Sequence, residues 1–115
     1  MIKITETNVT LMVMSIDKSI KFYESIGMTL KSRWGEHYAM METTGLTIGL
    51  HPTEKPVKPS TQVSIGFMVD DISEVRKILT KNKIKHSDED GKSGIYSHFT
   101  DLDGTALYFT QPKWK

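Results

Sequence analysis

The stretch that decides the fold is residues 8–28, which read NVTLMVMSIDKSIKFYESIGM. It holds a short apolar run, a segment of helical periodicity and a glycine that ends the helix. The same plan recurs 56 positions later, where residues 64–72 (SIGFMVDDI) align with residues 8–16 (NVTLMVMSI). The closing segments also match, because residues 44–50 (TGLTIGL) align with residues 103–109 (DGTALYF). A plan written twice predicts two similar half-domains.

Composition bounds the class of protein. The 115 residues suit one domain with its own core, and the absence of cysteine excludes disulfides and thiolate metal sites. Fifteen Lys and Arg against fourteen Asp and Glu give a net charge of +1, without the basic stripe that nucleic-acid binding requires. No apolar run has the length of a membrane span, and no signal-peptide core is present. We therefore expect a cytoplasmic protein that binds neither nucleic acid nor membrane.

Apolar periodicity predicts the elements of the first copy. A strand at residues 9–14 leads into a helix, with Ser15 or Asp17 as the N-cap and Gly27 as the left-handed exit. Closely spaced turn residues then favour an antiparallel meander of short strands. These three strands are expected at residues 28–34, 37–42 and 46–51.

The second copy repeats this plan. A strand at residues 63–69 precedes a helix that Asp71 and Glu74 open as a capping box. Its apolar stripe includes Ile78 and Leu79. A weak strand is expected at residues 84–87 and a polar loop at residues 88–93. Two strands joined by the turn DLDG follow at residues 94–100 and 105–110.

The element order is βαβββ followed by βαβββ, which predicts an α+β fold of two tandem modules. We expect a single domain over residues 1–115, with module one at residues 1–52 and module two at residues 62–115. The segment between them, residues 53–61, is rich in proline and charge and is typical of a solvated linker.

Strand alternation separates two faces in each module. One parity of the first and last strands is aliphatic and is expected to pack against the helices. The side chains at the alternate positions are small and mildly polar and include no Lys or Glu, which favours a concave surface that holds a ligand. The alternative is a face that covers another sheet or a partner subunit. Its twelve positions are Asn8, Thr10, Met12, Thr47, Gly49, His51, Ser64, Gly66, Met68, Ala106, Tyr108 and Thr110.

Aromatic residues are expected around the mouth of such a surface. Trp34, Tyr38, Tyr96 and Tyr108 suit planar or amphipathic ligands, because their rings stack and bury area; packing in the core or in a dimer is the alternative. His51 is a candidate ligand contact or general base, or else a structural histidine at the rim. The predicted ligand-binding site combines these aromatic residues with most of the twelve positions: Asn8, Thr10, Met12, Trp34, Tyr38, Thr47, Gly49, His51, Ser64, Gly66, Met68, Tyr96 and Tyr108.

The doubled βαβββ plan, the stretch SIKFYESIGM and the closing DLDGTALYF resemble the glyoxalase/bleomycin-resistance family, also called the vicinal oxygen chelate (VOC) superfamily. The resemblance covers nearly the whole chain. It implies a cupped mixed sheet built from paired modules, commonly in a homodimer, with a ligand inside the cup. Many enzymes of this family hold a divalent metal at four strand positions, which fall here on Asn8, Gly49, Ser64 and Tyr108.

None of these four residues is a His, Glu or Asp, and we therefore expect neither a metal nor another cofactor. The expected function is binding, and sequestration of an antibiotic or metabolite. The alternative is an enzyme of the same family, a lyase, isomerase or dioxygenase with non-standard metal ligands. His37, His51 and His98 form one such ligand set, and metal-free acid–base chemistry through His51 or Tyr108 is another route.

Overall fold

The computed structural model describes residues 1–60 and 62–114. Thr61, in the predicted linker, and Lys115, at the end of predicted module two, lie outside the described residues. The elements follow the predicted order, and two helices with two four-stranded sheets confirm the α+β class. The chain divides into two compact units, and unit 1 ends at Val57, inside the segment predicted as a linker.

Unit 1 contains β1 (Val9–Val13), α1 (Ile16–Ser25), β2 (Thr29–Trp34), β3 (Tyr38–Thr43) and β4 (Leu46–Pro52). Its sheet has the order β1-β4-β3-β2, with β1 parallel to β4 and the other neighbours antiparallel. The predicted meander is therefore confirmed. Ser15, rather than Asp17, is the cap of α1, because its hydroxyl accepts a hydrogen bond from the Lys18 amide at 3.1 Å.

Unit 2 contains β5 (Ser64–Met68), α2 (Ile72–Lys81), β6 (Ser87–Asp90), β7 (Gly94–Thr100) and β8 (Ala106–Pro112). Its sheet has the equivalent order β5-β8-β7-β6, with β5 parallel to β8. Among the described residues, no helix has the length and apolarity needed to cross a membrane.

The position of the second strand of unit 2 was predicted wrongly. Residues 88–93 were expected to form a loop, but Asp88, Glu89 and Asp90 belong to β6 and pair with β7. All residues of β6 are exposed, and β6 lies at the edge of its sheet. An edge strand tolerates charged side chains on both faces, so the acidic composition that suggested a loop is compatible with a strand.

Most of the aliphatic strand residues are buried as predicted, but Val9 and Val63, which were expected on the same faces, are 42% and 62% exposed. In unit 1, Val13, Ile48 and Leu50 are fully buried, and so is Tyr23 of α1. In unit 2, Leu79 of α2 is fully buried. Apolar stripes on a helix and alternate positions on strands thus close a separate core in each unit.

The predicted apolar stripe of α2 is wrong at Ile78, which is 45% exposed. A half-buried arginine, Arg76, reaches the sheet instead. Its Nε donates a hydrogen bond to the Ser97 hydroxyl at 2.9 Å, and its Nη2 donates to the Tyr96 carbonyl at 3.1 Å. The helix therefore contacts β7 partly through a guanidinium whose donors are satisfied.

Asp88 joins this contact to β6. It accepts hydrogen bonds from the Ser97 hydroxyl at 2.8 Å and from His86 Nδ1 at 2.7 Å, and it lies 3.3 Å from Arg76 Nε. Burial alone would raise the pKa of Asp88, but the two hydrogen bonds and the nearby positive charges outweigh it. The pKa of Asp88 therefore lies below its usual range.

We expect Leu79→Ala to lower the free energy of unfolding by about 2–5 kcal/mol, because it opens a cavity in the core. Ile78→Ala is the matched control, and its loss should stay below about 1 kcal/mol because the side chain is already 45% exposed. Urea denaturation followed by circular dichroism measures both values. Equal losses at the two positions would contradict the packing of α2.

The lowered pKa of Asp88 gives a stability that depends on pH. Its contribution is complete above the unfolded pKa of about 3.9 and is lost as the pH falls through the lower folded pKa. Wild-type protein should therefore exceed Asp88→Asn in stability near neutral pH, and the difference should shrink below about pH 4. Thermal unfolding at stepped pH measures this difference, with the exposed Asp70→Asn as control. A difference that is the same at every pH would refute the role of the carboxylate.

Candidate functional site

In unit 1 the opposite strand face is organised by the hydroxyl of Tyr38. Parallel pairing sets Thr10 of β1 beside Gly49 of β4, and Tyr38 reaches across from β3. The Tyr38 hydroxyl accepts a hydrogen bond from Asn8 Nδ2 at 2.8 Å and lies 3.5 Å from Thr10 Oγ1. A Cβ at Gly49 would overlap that hydroxyl, so a residue without a side chain is required beneath the ring.

An aromatic row extends from Tyr38 along the same face. The ring centroids of Trp34 and Tyr38 are 5.7 Å apart, and those of Tyr38 and His51 are 6.5 Å apart. Trp34 is 54% exposed. His51 Nδ1 lies 3.0 Å from the Pro52 carbonyl oxygen, which can only accept, so Nδ1 is the donor. We call this surface the unit 1 tyrosine face, and it comprises Asn8, Thr10, Met12, Trp34, Tyr38, Thr47, Gly49 and His51.

In unit 2 the tyrosine over a glycine comes from a different strand. Tyr108 of β8 is paired with Gly66 of β5, and a Cβ at Gly66 would overlap the Tyr108 ring. Tyr96 and His98 of β7 stack in parallel, with centroids 5.6 Å apart and an interplanar angle of 7°. The Tyr96 hydroxyl is 2.8 Å from the Ser93 hydroxyl.

Sequence reasoning missed one pair on this face. His98 Nε2 lies 3.0 Å from the Glu89 carboxylate, because β6 pairs with β7 in a register that sets Glu89 opposite Tyr96. Assigning residue 89 to a strand would have revealed the pair, since the side chains of Glu89, Tyr96 and His98 then lie on the same face of the sheet. We call the surface the unit 2 tyrosine face, and it comprises Ser64, Gly66, Met68, Glu89, Tyr96, His98 and Tyr108.

A surface depression of about 460 Å³ opens on unit 2. Ser64, His98 and Tyr108 from the tyrosine face line it, together with strand residues beside them. Met68, on the same face, is 60% exposed. Thr110 pairs with Met68 and Tyr96 and so lies on this face as the alternation predicted, but it is buried, and its hydroxyl has no hydrogen-bond partner in the described part of the chain.

The two copies fill the space above their glycines differently. Gly49 and Tyr108 occupy matching positions, and so do Tyr38 and Tyr96 when the registers of β3–β4 and β7–β8 are aligned. In unit 1 the position is a glycine, and the neighbouring Tyr38 covers it. In unit 2 it is itself a tyrosine, which reaches the glycine of the next strand. The room expected at both glycines is thus occupied by rings, and the role of these residues in ligand binding stays a prediction.

The sequence matches a known protein superfamily. The profile of the Glyoxalase/Bleomycin resistance protein/Dioxygenase superfamily matches residues 7–109. The chain belongs to this superfamily. The match covers both copies of the βαβββ plan and includes every residue of the two tyrosine faces, so the predicted resemblance is confirmed.

Two related sequences share part of the chain. An uncharacterized protein of Mycolicibacterium smegmatis is 34% identical over 70 residues, which are 60% of this chain and 59% of that protein. A probable trivalent organoarsenical cleaving enzyme of Bacillus subtilis is 31% identical over 104 residues, 89% of this chain and 64% of the enzyme. The chain thus spans about three fifths of the length of these relatives.

Solved structures of the superfamily share the fold. A genomically encoded fosfomycin resistance protein from Listeria monocytogenes superposes with a TM-score of 0.82 at 16% identity, covering 98% of this chain and 96% of its own. A bleomycin-binding protein complexed with bleomycin superposes with a TM-score of 0.71 at 19% identity, and the match covers 96% of this chain and 100% of that protein. A putative glyoxalase family protein from Bacillus anthracis superposes with a TM-score of 0.74 at 20% identity, and the match covers 98% of this chain and 100% of that protein. At these identities the likeness shows the fold.

The residues at the superfamily's four metal positions do not fit a divalent metal. Asn8 can offer only the neutral oxygen of its amide, and Gly49 has no side chain to bind a metal. Ser64 and Tyr108 present neutral hydroxyls, which are poor ligands beside carboxylate or imidazole. Across residues 1–60 and 62–114, no three His, Asp or Glu side chains are arranged to share a metal ion, and His37, His51 and His98 form no such group.

We expect Gly49→Ala to displace the Tyr38 hydroxyl from Asn8 and to lower the free energy of unfolding by about 1 kcal/mol, the net value of one hydrogen bond. The cost should fall when Tyr38→Ala has already removed the overlapping ring, giving a coupling energy of about 0.5–3 kcal/mol in a double-mutant cycle. Gly91→Ala is the control, because its Cβ would approach no atom closer than 3.4 Å. Additive costs for Gly49 and Tyr38 would disprove the contact.

Proposed function

We propose that this protein binds a small, planar, partly aromatic molecule, such as an antibiotic or metabolite, and sequesters it without chemical change. The ligand would lie against the tyrosine faces. Membership of a superfamily whose solved members include a bleomycin-binding protein and a fosfomycin resistance protein supports a small-molecule ligand. By analogy with that family, we also expect the protein to act in the cytoplasm as a homodimer.

The observation that carries the proposal is the pairing of exposed aromatic rings with uncharged hydrogen-bonding groups. Trp34 is 54% exposed beside Tyr38, whose hydroxyl is held by Asn8. An outward face of a soluble sheet normally carries Lys and Glu, but here a ring is positioned and left half uncovered. Such a ring buries area against a flat ligand and stacks on it, while the polar groups orient it.

A lyase is the second candidate, since a Bacillus subtilis relative is named as a probable organoarsenical cleaving enzyme. The chemistry of the metal positions argues against it, because Gly49 has no side chain to bind a metal and Asn8 offers only a neutral amide oxygen. Trivalent arsenic also prefers thiolates, and the sequence contains no cysteine. Incubation with a trivalent organoarsenical, with and without added Fe²⁺ or Mn²⁺, separates the candidates, because release of arsenite would favour the lyase.

The two tryptophans allow a matched test of ligand binding. A panel of aromatic antibiotics and metabolites, with bleomycin and fosfomycin as comparators, is titrated while tryptophan fluorescence and calorimetric heat are recorded. We expect Trp34→Phe to abolish the fluorescence change of a bound compound and to weaken its affinity about tenfold, the loss of about 1.4 kcal/mol of stacking. Trp114→Phe, 62% exposed and outside both faces, should preserve the change and the affinity.

The fate of the compound distinguishes sequestration from catalysis. Mass spectrometry of a ligand released by denaturation should recover it unchanged. Binding that survives Trp34→Phe and Tyr38→Ala without loss would remove the unit 1 tyrosine face from the proposal. Absence of binding across the panel would count against the proposed function as a whole.

A further inference from the structure

The pair formed by Glu89 and His98 has the geometry of an oriented base. His98 Nε2 lies 3.0 Å from Glu89 Oε1. An ionised carboxylate can only accept a hydrogen bond, so Nε2 carries the hydrogen of the neutral imidazole. The Nδ1 atom then retains its lone pair, and it has no hydrogen-bond partner within residues 1–60 and 62–114. A histidine whose tautomer is set by a carboxylate presents a defined acceptor.

Stacking fixes the plane of the imidazole. The His98 ring lies 5.6 Å from the Tyr96 ring at 7°, and the Tyr96 hydroxyl is held by Ser93 at 2.8 Å. His98 is therefore held at one edge by Glu89 and at one face by Tyr96. Its side chain remains 46% exposed, so the imidazole is oriented but still reachable from solvent.

A second unpaired polar group lies beside it. The Tyr108 and His98 ring centroids are 6.1 Å apart, and both residues line the depression of about 460 Å³. The Tyr108 hydroxyl has no hydrogen-bond partner in the described chain, whereas the Tyr38 hydroxyl of unit 1 is held by Asn8. The depression therefore contains both a proton acceptor and a proton donor that internal contacts do not engage.

The other histidines lack this combination. His51 Nδ1 donates to the Pro52 carbonyl, and no carboxylate orients the ring. His86 has a carboxylate partner in Asp88, but Asp88 is shared with Ser97 and Arg76, and the His86 side chain is only 15% exposed. His98 combines an orienting carboxylate with a side chain that is 46% exposed and with an Nδ1 that has no hydrogen-bond partner among the described residues.

We propose that His98, positioned by Glu89, is the general base of a metal-free proton-transfer activity on small conjugated carbon acids such as enolisable carbonyl compounds. This activity goes beyond the proposed function, because it applies to carbon acids that bind on the unit 2 tyrosine face. The catalytic residues are His98 and Tyr108, and Glu89 is a positioning residue. No oxidant, reductant or cofactor is needed.

The step conserves atoms and charge. A C–H bond of the substrate breaks, and the proton moves to His98 Nδ1. The electron pair shifts into the conjugated carbonyl, whose oxygen becomes negative and accepts a hydrogen bond from the Tyr108 hydroxyl. Return of the proton from Nδ1 to another carbon of the conjugated system gives an isomer and restores the neutral imidazole.

The tautomer can be measured without any ligand. Long-range ¹H–¹⁵N correlation spectra, recorded at a pH at which the His98 imidazole is neutral, should show Nε2 protonated and Nδ1 unprotonated. In Glu89→Gln this preference should weaken, because an amide can also donate to Nε2. A wild-type spectrum with the proton on Nδ1 would overturn the inference.

The activity is tested with 5-nitrobenzisoxazole, a flat carbon acid from which a base removes the C3 proton as the N–O bond breaks, giving a coloured cyanophenolate. Wild-type protein should accelerate the reaction above buffer. His98→Gln should lower the rate at least tenfold, as expected for loss of a general base. Glu89→Gln should lower it less, and Tyr108→Phe should lower kcat more than it changes KM. His37→Gln, an exposed histidine outside both faces, is the control and should keep the wild-type rate.

Thermal unfolding of every variant confirms that the fold is retained, and the tautomer measurement on wild-type protein needs no variant. A wild-type rate equal to that of His98→Gln overturns the inference. If compounds of the panel still bind in that case, the proposed binding function stands while the catalytic inference fails. If turnover depends on His98 and no panel compound binds, sequestration fails and the proton-transfer activity stands.

Discussion

A tyrosine ring can lie flat on a sheet only where the strand beneath it lacks a Cβ, and both units depend on this constraint. Gly49 admits Tyr38, and Gly66 admits Tyr108. Glycine weakens a strand by its flexibility, but an aromatic ring from the neighbouring strand restores buried area over it. The proposed site and the sheet are therefore coupled, because the rings proposed to contact a ligand also cover the weakest points of the strands.

The duplicated plan gives the two units one topology and different chemistry. Matching positions hold Gly49 in one copy and Tyr108 in the other, which changes the strand that supplies the ring. In unit 1 the hydroxyl of the ring is fixed by Asn8. In unit 2 the hydroxyl has no hydrogen-bond partner among the described residues, and a carboxylate–imidazole pair lies next to it. One exchange between glycine and tyrosine thus separates a hydroxyl that a neighbouring side chain holds from one that is not held.

Most of the fold could be predicted from the sequence, because local signals and tertiary packing agree. The stripe of α1, the Ser15 cap and the glycine turns all lie where periodicity and backbone conformation require them. The prediction failed at β6, since an acidic edge strand and a polar loop have the same composition. It also failed at Ile78, since the helical spacing of apolar residues does not show which of them lie at the edge of the apolar stripe and stay exposed.

The site was harder to predict than the fold. Parity identified which residues share a face, and Tyr38 and Tyr108 were among them. It could not show that each ring bends over a glycine, because that depends on side-chain directions across neighbouring strands. The Glu89–His98 pair was missed for a different reason: it requires the register of β6, and that strand had not been recognised.

The acidic character of β6 has a consequence for the behaviour of the protein in concentrated solution. An outermost strand presents unpaired amides and carbonyls to any passing chain, and neutral edges of this kind seed fibrils. Asp88, Glu89 and Asp90 line this edge with carboxylates that contact Arg76, His98 and Lys113, so another β6 could pair its backbone here only by burying charged groups. Natural variants that neutralise this edge would remain folded and yet become insoluble.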